Sequence, residues 1–149
     1  MGKTAPQCVD SIISALESNP EMFAEIAHQT ERLHGKPTVH DYTNVEMDQL
    51  TSGFIRMLLE AARNDEPKFR TLFMEYAMPA LVLGGETAAT LVMWNARFVV
   101  LFGSALAAAV PPEQREGALE WFAEFSGSYV GDVMRAALAT NPTSESTAA

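Results

Sequence analysis

The sequence predicts an all-α fold, a globin-like bundle of about six helices with two long helices at its C-terminal end. Apolar residues recur at helical spacing along most of the chain. Turn and cap residues separate these periodic segments. No segment carries a β-hairpin signal, and apolar runs such as "LVL" are too short to found a sheet. The chain therefore folds as packed helices without a sheet.

Length and composition predict one globular domain with a core of its own. The chain has 149 residues, of which 48% are hydrophobic and 19% charged, which is typical of a folded domain rather than a disordered one. No repeat or inserted second domain is visible. The expected domain spans 1–139, and the polar residues 140–149 form a flexible tail.

The charge of the chain argues against nucleic acid and anionic membranes as partners, and its single cysteine argues against disulfide bonds. The formal net charge is -9, whereas binding to nucleic acid or to an anionic membrane surface needs a basic face. The single cysteine, Cys8, excludes a disulfide framework and favours a reducing compartment. Because the N-terminus "MGKTAPQCVD" has no apolar signal core, the expected location is cytoplasmic.

The first four helices follow from periodicity and from their end signals. Helix one covers about Gln7–Ser18, and helix two starts after the cap residue Asn19 and ends at Gly35. Helix three runs over roughly Val45–Arg63 behind the cap Asn44. Helix four opens at Pro67, and Pro79 should kink or end it. The residues expected to face inward include Met22, Phe23, Ile26 and Leu33 on helix two, Met47, Leu50, Phe54, Met57, Leu58 and Ala61 on helix three, and Phe69, Leu72, Phe73, Tyr76 and Ala77 on helix four.

The last two helices are the long ones. Thr87 follows the Gly84-Gly85 turn and can cap a fifth helix that reaches Val110. The stretch is long enough to cross a membrane, but a central arginine is costly in lipid, so we expect a nearly encircled helix of a soluble bundle. "VPP" separates it from the sixth helix, which extends to about Ala139.

That central arginine, Arg97, is the first candidate site residue. Its possible partners are the carboxylates Glu75, Glu86, Glu120 and Glu124. The favoured interpretation is a partly buried ion pair with the last helix that fixes how the two long helices pack. The alternative is an arginine that binds a carboxylate ligand between helices.

The aromatic and methionine-rich character of the long helices suggests an apolar pocket. Aromatics at these spacings are usually core residues, and one of Trp94 and Trp121 is expected at a rim or at a dimer contact. The predicted ligand-binding residues are Trp94, Arg97, Phe98, Trp121, Phe125 and Tyr129.

Nothing in the sequence supports catalysis, so the chain is not expected to be an enzyme. It contains no Ser/His/Asp set, P-loop or dinucleotide-binding fingerprint. His28, His34 and His40 are expected to be exposed around a helix end, with a weak metal site involving Glu31 or Asp41 as the alternative. No histidine follows His40, which argues against haem. We therefore expect no cofactor and no metal, and a half-buried structural role for Cys8.

The order of the helical segments resembles a known family. "NPEMFAEIAHQT", "MDQLTSGFIRMLLEAARND", "LVLGGET", "LVMWNARFVVLF" and "VPPEQREGALEWFAEFSGSYVGDVM" follow one another between about Ile12 and Leu138. This arrangement resembles the amino-terminal sensor domain of RsbR-type stressosome proteins, a non-haem globin fold. The resemblance implies a dimeric signal-input module of the stress response. Family members normally carry a C-terminal STAS transducer, whereas this sequence ends in a short polar tail.

The expected function is therefore that of a sensory or regulatory module. It would act in a homodimer, through the first helices or the long C-terminal pair, by binding a small ligand or a regulatory protein partner. The alternative is a cofactor or ligand carrier for haem, bilin or lipid, with an apolar pocket between the long helices. A metal-dependent enzyme built on the histidines is the third, least supported hypothesis.

Overall fold

The computed structural model describes residues 5–33 and 44–140, and this part of the chain is a bundle of helices with no strand. The α-helices are α1 (Ala5–Ser18), α2 (Pro20–Leu33), α3 (Asn44–Ala62), α4 (Lys68–Leu72), α5 (Met78–Leu83), α6 (Ala88–Ala109) and α7 (Arg115–Thr140). A π-helical turn, Phe73–Ala77, joins α4 to α5 without a break, and a 3-10 turn, Pro112–Gln114, precedes α7. The predicted all-α bundle with two long C-terminal helices is confirmed. The residues predicted around Gly35 and most of the predicted tail lie outside the described residues.

The two long helices pack against each other as an antiparallel pair. Tyr129 of α7 bonds to Asn95 of α6, while Phe122, earlier in α7, stacks on Phe102, later in α6, with ring centroids 5.9 Å apart. Helix α6 also packs against α2, and α7 against α1 and the 68–83 segment. The long pair therefore touches nearly every other helix.

An aromatic cluster fills the centre of the core around Phe54 of α3. Its ring lies edge-on to Phe98, Phe102 and Tyr129, at centroid distances of 4.9, 5.0 and 5.1 Å. Edge-to-face pairs of this kind bring the positive ring edge to the negative ring face. Helix three was expected to turn this side inward, and the burial of Phe54 confirms it.

The long helix α6 is less enclosed than the sequence predicts. By length and composition alone it could cross a membrane, and half of its apolar window is buried within the protein. Its outer side carries Met93 and Val100, which are 40% and 68% exposed. The expectation of a nearly encircled helix is therefore wrong, since α1, α2 and α7 leave this outer side uncovered.

Pro79 does not end the helical segment, which runs on to Leu83; the α-helix is instead interrupted just before it by the π turn Phe73–Ala77. Proline has no N–H to donate to the preceding turn. The helix adapts just before it: the Met78 N–H bonds to the Phe73 carbonyl, five residues back, in the π turn. The helix then continues to Leu83. Two residues of this segment that were predicted to face inward, Leu72 and Tyr76, are 53% and 68% exposed.

Three further side chains expected in the core are on the surface. Met22 and Leu33 of α2 are exposed, and so is Ala61 near the end of α3. Leu33 and Ala61 lie at helix ends, and Met22 lies in the first turn of α2, where neighbouring helices give less cover. Periodicity identifies the apolar side of a helix but not how far along it the partner helices reach.

Helix ends are closed by side chains, partly as predicted. Thr87 Oγ1 accepts the Thr90 N–H at 3.0 Å, which confirms it as the N-cap of α6. The amide of Asn19 donates to the Ala15 carbonyl at 2.9 Å, so it closes the end of α1. At the start of α4, the Glu60 carboxylate of α3 accepts the Phe69 N–H. A carboxylate at this end is also favoured by the helix dipole.

Candidate functional site

A cleft of about 490 Å³ opens between α3 and the helical segment that runs from α4 to α5. Its volume lies within the ~300–1,000 Å³ range of ligand-binding pockets. Apolar side chains form most of its wall, among them Leu50, Phe69, Phe73 and Leu81. The cleft therefore offers apolar surface to a molecule from solution.

Two local features shape this cleft. Gly53 on α3 lies against the Phe69 ring, which a Cβ at that position would approach to 3.2 Å. The missing side chain therefore lets α4 lie close to α3. Opposite, the π turn supplies Phe73 and Ala77 to the wall. Single π turns inside α-helices are frequent at functional sites, and here the turn borders the cleft.

The far wall of the cleft ends in a tight glycine turn and a buried carboxylate. Gly85 has a φ of 115°, a conformation that favours glycine over other residues. This turn places Glu86 in the wall, where the residue is only 4% exposed. Glu46 of α3 is the second carboxylate of the lining. The two charged residues of a mainly apolar lining are thus both acidic.

A small inner cavity of about 30 Å³ lies behind the cleft. Leu50, Phe73 and Leu81 border both spaces, so these three side chains form the wall between them. On its inner side the cavity reaches Trp94 and Asn95 of α6. The surface cleft and the long central helix are therefore separated by a single layer of side chains.

Behind the inner cavity, a buried hydrogen bond connects the two long helices. Tyr129 donates from its hydroxyl to Asn95 Oδ1 at 2.8 Å, and the Asn95 amide donates to the Leu91 carbonyl at 2.8 Å. Burial raises the pKa of Tyr129 far above its ordinary value, and the nearby Arg70 offsets this only in part. The phenol therefore stays neutral and keeps its proton for this bond.

Arg97 does not form the ion pair predicted for it. It is exposed and donates from Nη1 to the backbone carbonyl of Leu33, at the end of α2, at 2.7 Å. The prediction of a partly buried Arg97 paired with α7 is wrong because Arg97 lies on the side of α6 that faces α2. A cation near the last turn of a helix is favourable to its dipole.

The arginine that makes such an ion pair is Arg70 of α4, which the sequence did not single out. Its Nη2 lies 2.7 Å from Asp132 Oδ2 on α7, and the arginine side chain is 15% exposed. Arg70 also donates to Ser128 and lies over the Phe125 ring, 5.2 Å from its centroid. The sequence signal for this contact was the placement of two polar side chains, Ser128 and Asp132, one helical turn apart on the same side of α7.

The remaining predicted site residues are mainly core residues. Trp94 lines the inner cavity and donates from Nε1 to Glu31 at 2.8 Å. Phe98 and Phe125 are buried among other rings, and Trp121 is half-buried against Phe125 at 5.8 Å. The cleft lies between α3 and the 68–83 segment rather than between the long helices, where stacked rings fill the contact. The six residues are thus not brought together in one pocket.

The titratable residues show no metal constellation in the ranges that the structure describes, since no three His, Cys, Asp or Glu groups converge there. His28 pairs with Asp48 at 3.0 Å, while His34, His40 and Asp41 lie outside the described residues. Cys8 is buried rather than half-buried, at 3% exposure. Burial, and then the charge of Glu120, raise the pKa of its thiol, which lowers its reactivity.

Comparison of the chain with protein-family models, curated proteins and solved structures finds no significant match. The resemblance to RsbR-type sensor domains therefore remains a prediction from the sequence.

Proposed function

We propose that this protein is a signal-input module in which ligand binding at the α3/α4–α5 cleft alters the packing of the long helices in a homodimer. The observation that carries the proposal is the single side-chain layer between the cleft and α6. This layer consists of Leu50, Phe73 and Leu81, which border the cleft on one side and the inner cavity on the other. A molecule that moves them changes the surroundings of Trp94 and Asn95.

The effect on α6 would pass to α7 through the Asn95–Tyr129 bond. Packed interiors respond by switching between discrete arrangements rather than by deforming smoothly. A ligand shifts such an equilibrium only by its differential affinity for the two arrangements. Rearrangement of the three-residue wall supplies that difference, because the wall must move for a ligand to reach the inner cavity.

The outer sides of the long helices are the proposed dimer contact. Met93 and Val100 on α6, and Leu119, Met134 and Leu138 on α7, are all at least 40% exposed. They form apolar surface on a protein of net charge -9. Exposed apolar side chains suit an isologous contact, in which the same surface of each protomer meets its copy. The resemblance to RsbR-type stressosome sensor domains likewise implies a dimer.

Light scattering coupled to size-exclusion chromatography tests this proposal. The protein is expected to elute as a dimer, and Val100→Glu, which puts a charge on the proposed contact, should yield monomers. Leu72→Glu is the matched control, because Leu72 is also an exposed apolar residue, at 53%, but lies on α4. A parent protein that remains monomeric at high concentration would contradict the dimer. Equal dimerisation of both variants would place the contact elsewhere.

The second candidate function is that of a cofactor or ligand carrier, and the size of the cleft favours it. A carrier would retain its ligand through purification. Native mass spectrometry and an absorption spectrum of the same sample separate the two functions. A stoichiometric bound mass, or a haem or bilin band, supports the carrier; an apo dimer that binds ligand reversibly supports the sensor.

A further inference from the structure

The charged residues in the lining of the α3/α4–α5 cleft are both acidic. Among the described lining residues, the charged ones are Glu46 and Glu86. A carboxylate that is 4% exposed, as Glu86 is, is costly to bury beside apolar side chains unless charge or hydrogen bonds compensate. A carboxylate accepts several hydrogen bonds, so a ligand donor can add to those made within the protein. The cleft therefore favours a cationic group over an anionic one.

The aromatic residues of the cleft favour the same charge. Phe69 and Phe73 both belong to the lining, and the negative face of an aromatic ring attracts an ammonium group. The Arg56 guanidinium already covers Phe69, at 4.8 Å from its ring centroid, so Phe73 is the ring of the lining that is left for an ammonium group. Carboxylates and aromatic rings together are suited to an ammonium group.

The rest of the cleft is suited to a hydrocarbon chain. Its lining includes four uncharged, apolar residues, namely Leu50, Ala77, Ala80 and Leu81. The cleft of about 490 Å³ ends at the three-residue wall that separates it from the inner cavity. A narrow apolar chain can lie along this wall, and each CH2 that it buries adds to the affinity.

We propose that the cleft binds a free, single-chain primary alkylamine, with its ammonium group at Glu46 and Glu86 and its chain along Leu50, Phe73 and Leu81. A primary ammonium is favoured because its three N–H donors allow several hydrogen bonds to carboxylate oxygens. The net charge of -9 also raises the local concentration of cations. This inference rests on the proposed function, whose ligand class it names.

Isothermal titration with three probes of equal chain length tests the inference. Decylamine, 1-decanol and decanoate are titrated separately, below their aggregation concentrations and at physiological salt. Decylamine is expected to bind once per chain, at least about tenfold more tightly than the other two, as one charge-assisted hydrogen bond implies. Glu46→Gln and Glu86→Gln should each remove most of this preference and leave decanol affinity nearly unchanged. Glu75→Gln is the matched control, because Glu75 is an exposed carboxylate outside this cleft.

A steric variant keeps the test decisive if Glu86→Gln does not fold. Ala80→Trp fills the cleft and should abolish decylamine binding, whereas Ala61→Trp adds the same ring to an exposed position of α3 outside the lining. Decanol or decanoate binding as tightly as decylamine would overturn the amine specificity but leave the sensor proposal intact. The inference would be overturned if decylamine did not bind, or if it bound at several sites with an affinity that Ala80→Trp does not change. The dimer measurement tests the proposed function separately.

Discussion

Arg70 and Asp132 join the short helix α4 to the last helix α7 through two hydrogen bonds to one carboxylate oxygen. Nε and Nη2 of Arg70 lie 3.1 and 2.7 Å from Asp132 Oδ2. The guanidinium is sparsely exposed and covers the Phe125 ring. This contact holds the segment that forms one wall of the cleft against the core.

Replacing Arg70 by leucine should lower the free energy of unfolding by about 1–3 kcal/mol, since Asp132 loses a charge-assisted partner. Urea denaturation measures the change. Arg63→Leu is the control: Arg63 pairs with Glu17 at 2.6 Å, but both side chains are about half exposed, so the loss should stay within about 1 kcal/mol. Equal effects of the two substitutions would contradict the structural role of Arg70.

The same contact predicts sensitivity to acid. Burial alone would raise the pKa of Asp132, but hydrogen bonds and charges from Arg135 and Arg70 outweigh it and hold the pKa below its ordinary value. A lowered pKa in the folded state stabilises the protein above the unfolded pKa, and this contribution is lost as pH falls through the folded pKa. Asp132→Asn should therefore flatten the loss of stability below about pH 4, measured by thermal unfolding against pH. An unchanged slope would contradict the assignment.

Tyr129→Phe should destabilise the protein by about 1–3 kcal/mol, because Asn95 Oδ1 loses its donor in a buried setting. Tyr76→Phe is a matched control on an exposed tyrosine, at 68%, and should have little effect. Because burial raises the pKa of Tyr129, its ionisation should require alkaline unfolding. The difference in ultraviolet titration between the parent and Tyr129→Phe checks this, and a Tyr129 contribution at pH 10 in folded protein would refute it.

Two glycines of the long helices should respond in opposite directions to alanine. At Gly103 a Cβ would lie 3.1 Å from the Phe122 ring, whereas at Gly127 nothing lies within 4 Å. Gly127→Ala should stabilise α7 by about 0.5–1 kcal/mol through helix propensity. Gly103→Ala should lose that gain to crowding between α6 and α7. Melting temperatures of the two variants decide the point, and equal gains would show that the helices separate easily.

Thr87→Ala should cost about 0.5–2 kcal/mol, since the Thr90 N–H at the start of α6 loses its acceptor. Thr71→Ala, at an exposed position of α4, removes a hydroxyl that donates to the Pro67 carbonyl and should cost less. Chemical denaturation of both variants measures the difference. A smaller loss for Thr87→Ala would mean that the cap contributes little to α6.

The helices and most of their boundaries were predictable because their signals are local. Thr87 caps α6, the Gly84-Gly85 turn precedes it, and Pro111 separates the long pair. The cleft was not predictable, because it depends on the close approach of Gly53 to Phe69 and on a π turn before Pro79. Neither feature has a periodic signal in the chain.

The sequence by itself determined an all-α bundle, its caps and the apolar sides of its helices, since periodicity and turn chemistry act over a few residues. Only the tertiary structure decided that Arg70, and not Arg97, pairs with α7, and that α6 keeps an exposed side. The physical reason is that an ion pair or a cleft depends on which helices pack together and on which residues of each helix lie opposite one another. Residues 62 positions apart in the chain, such as Arg70 and Asp132, acquire that relationship only when the helices pack.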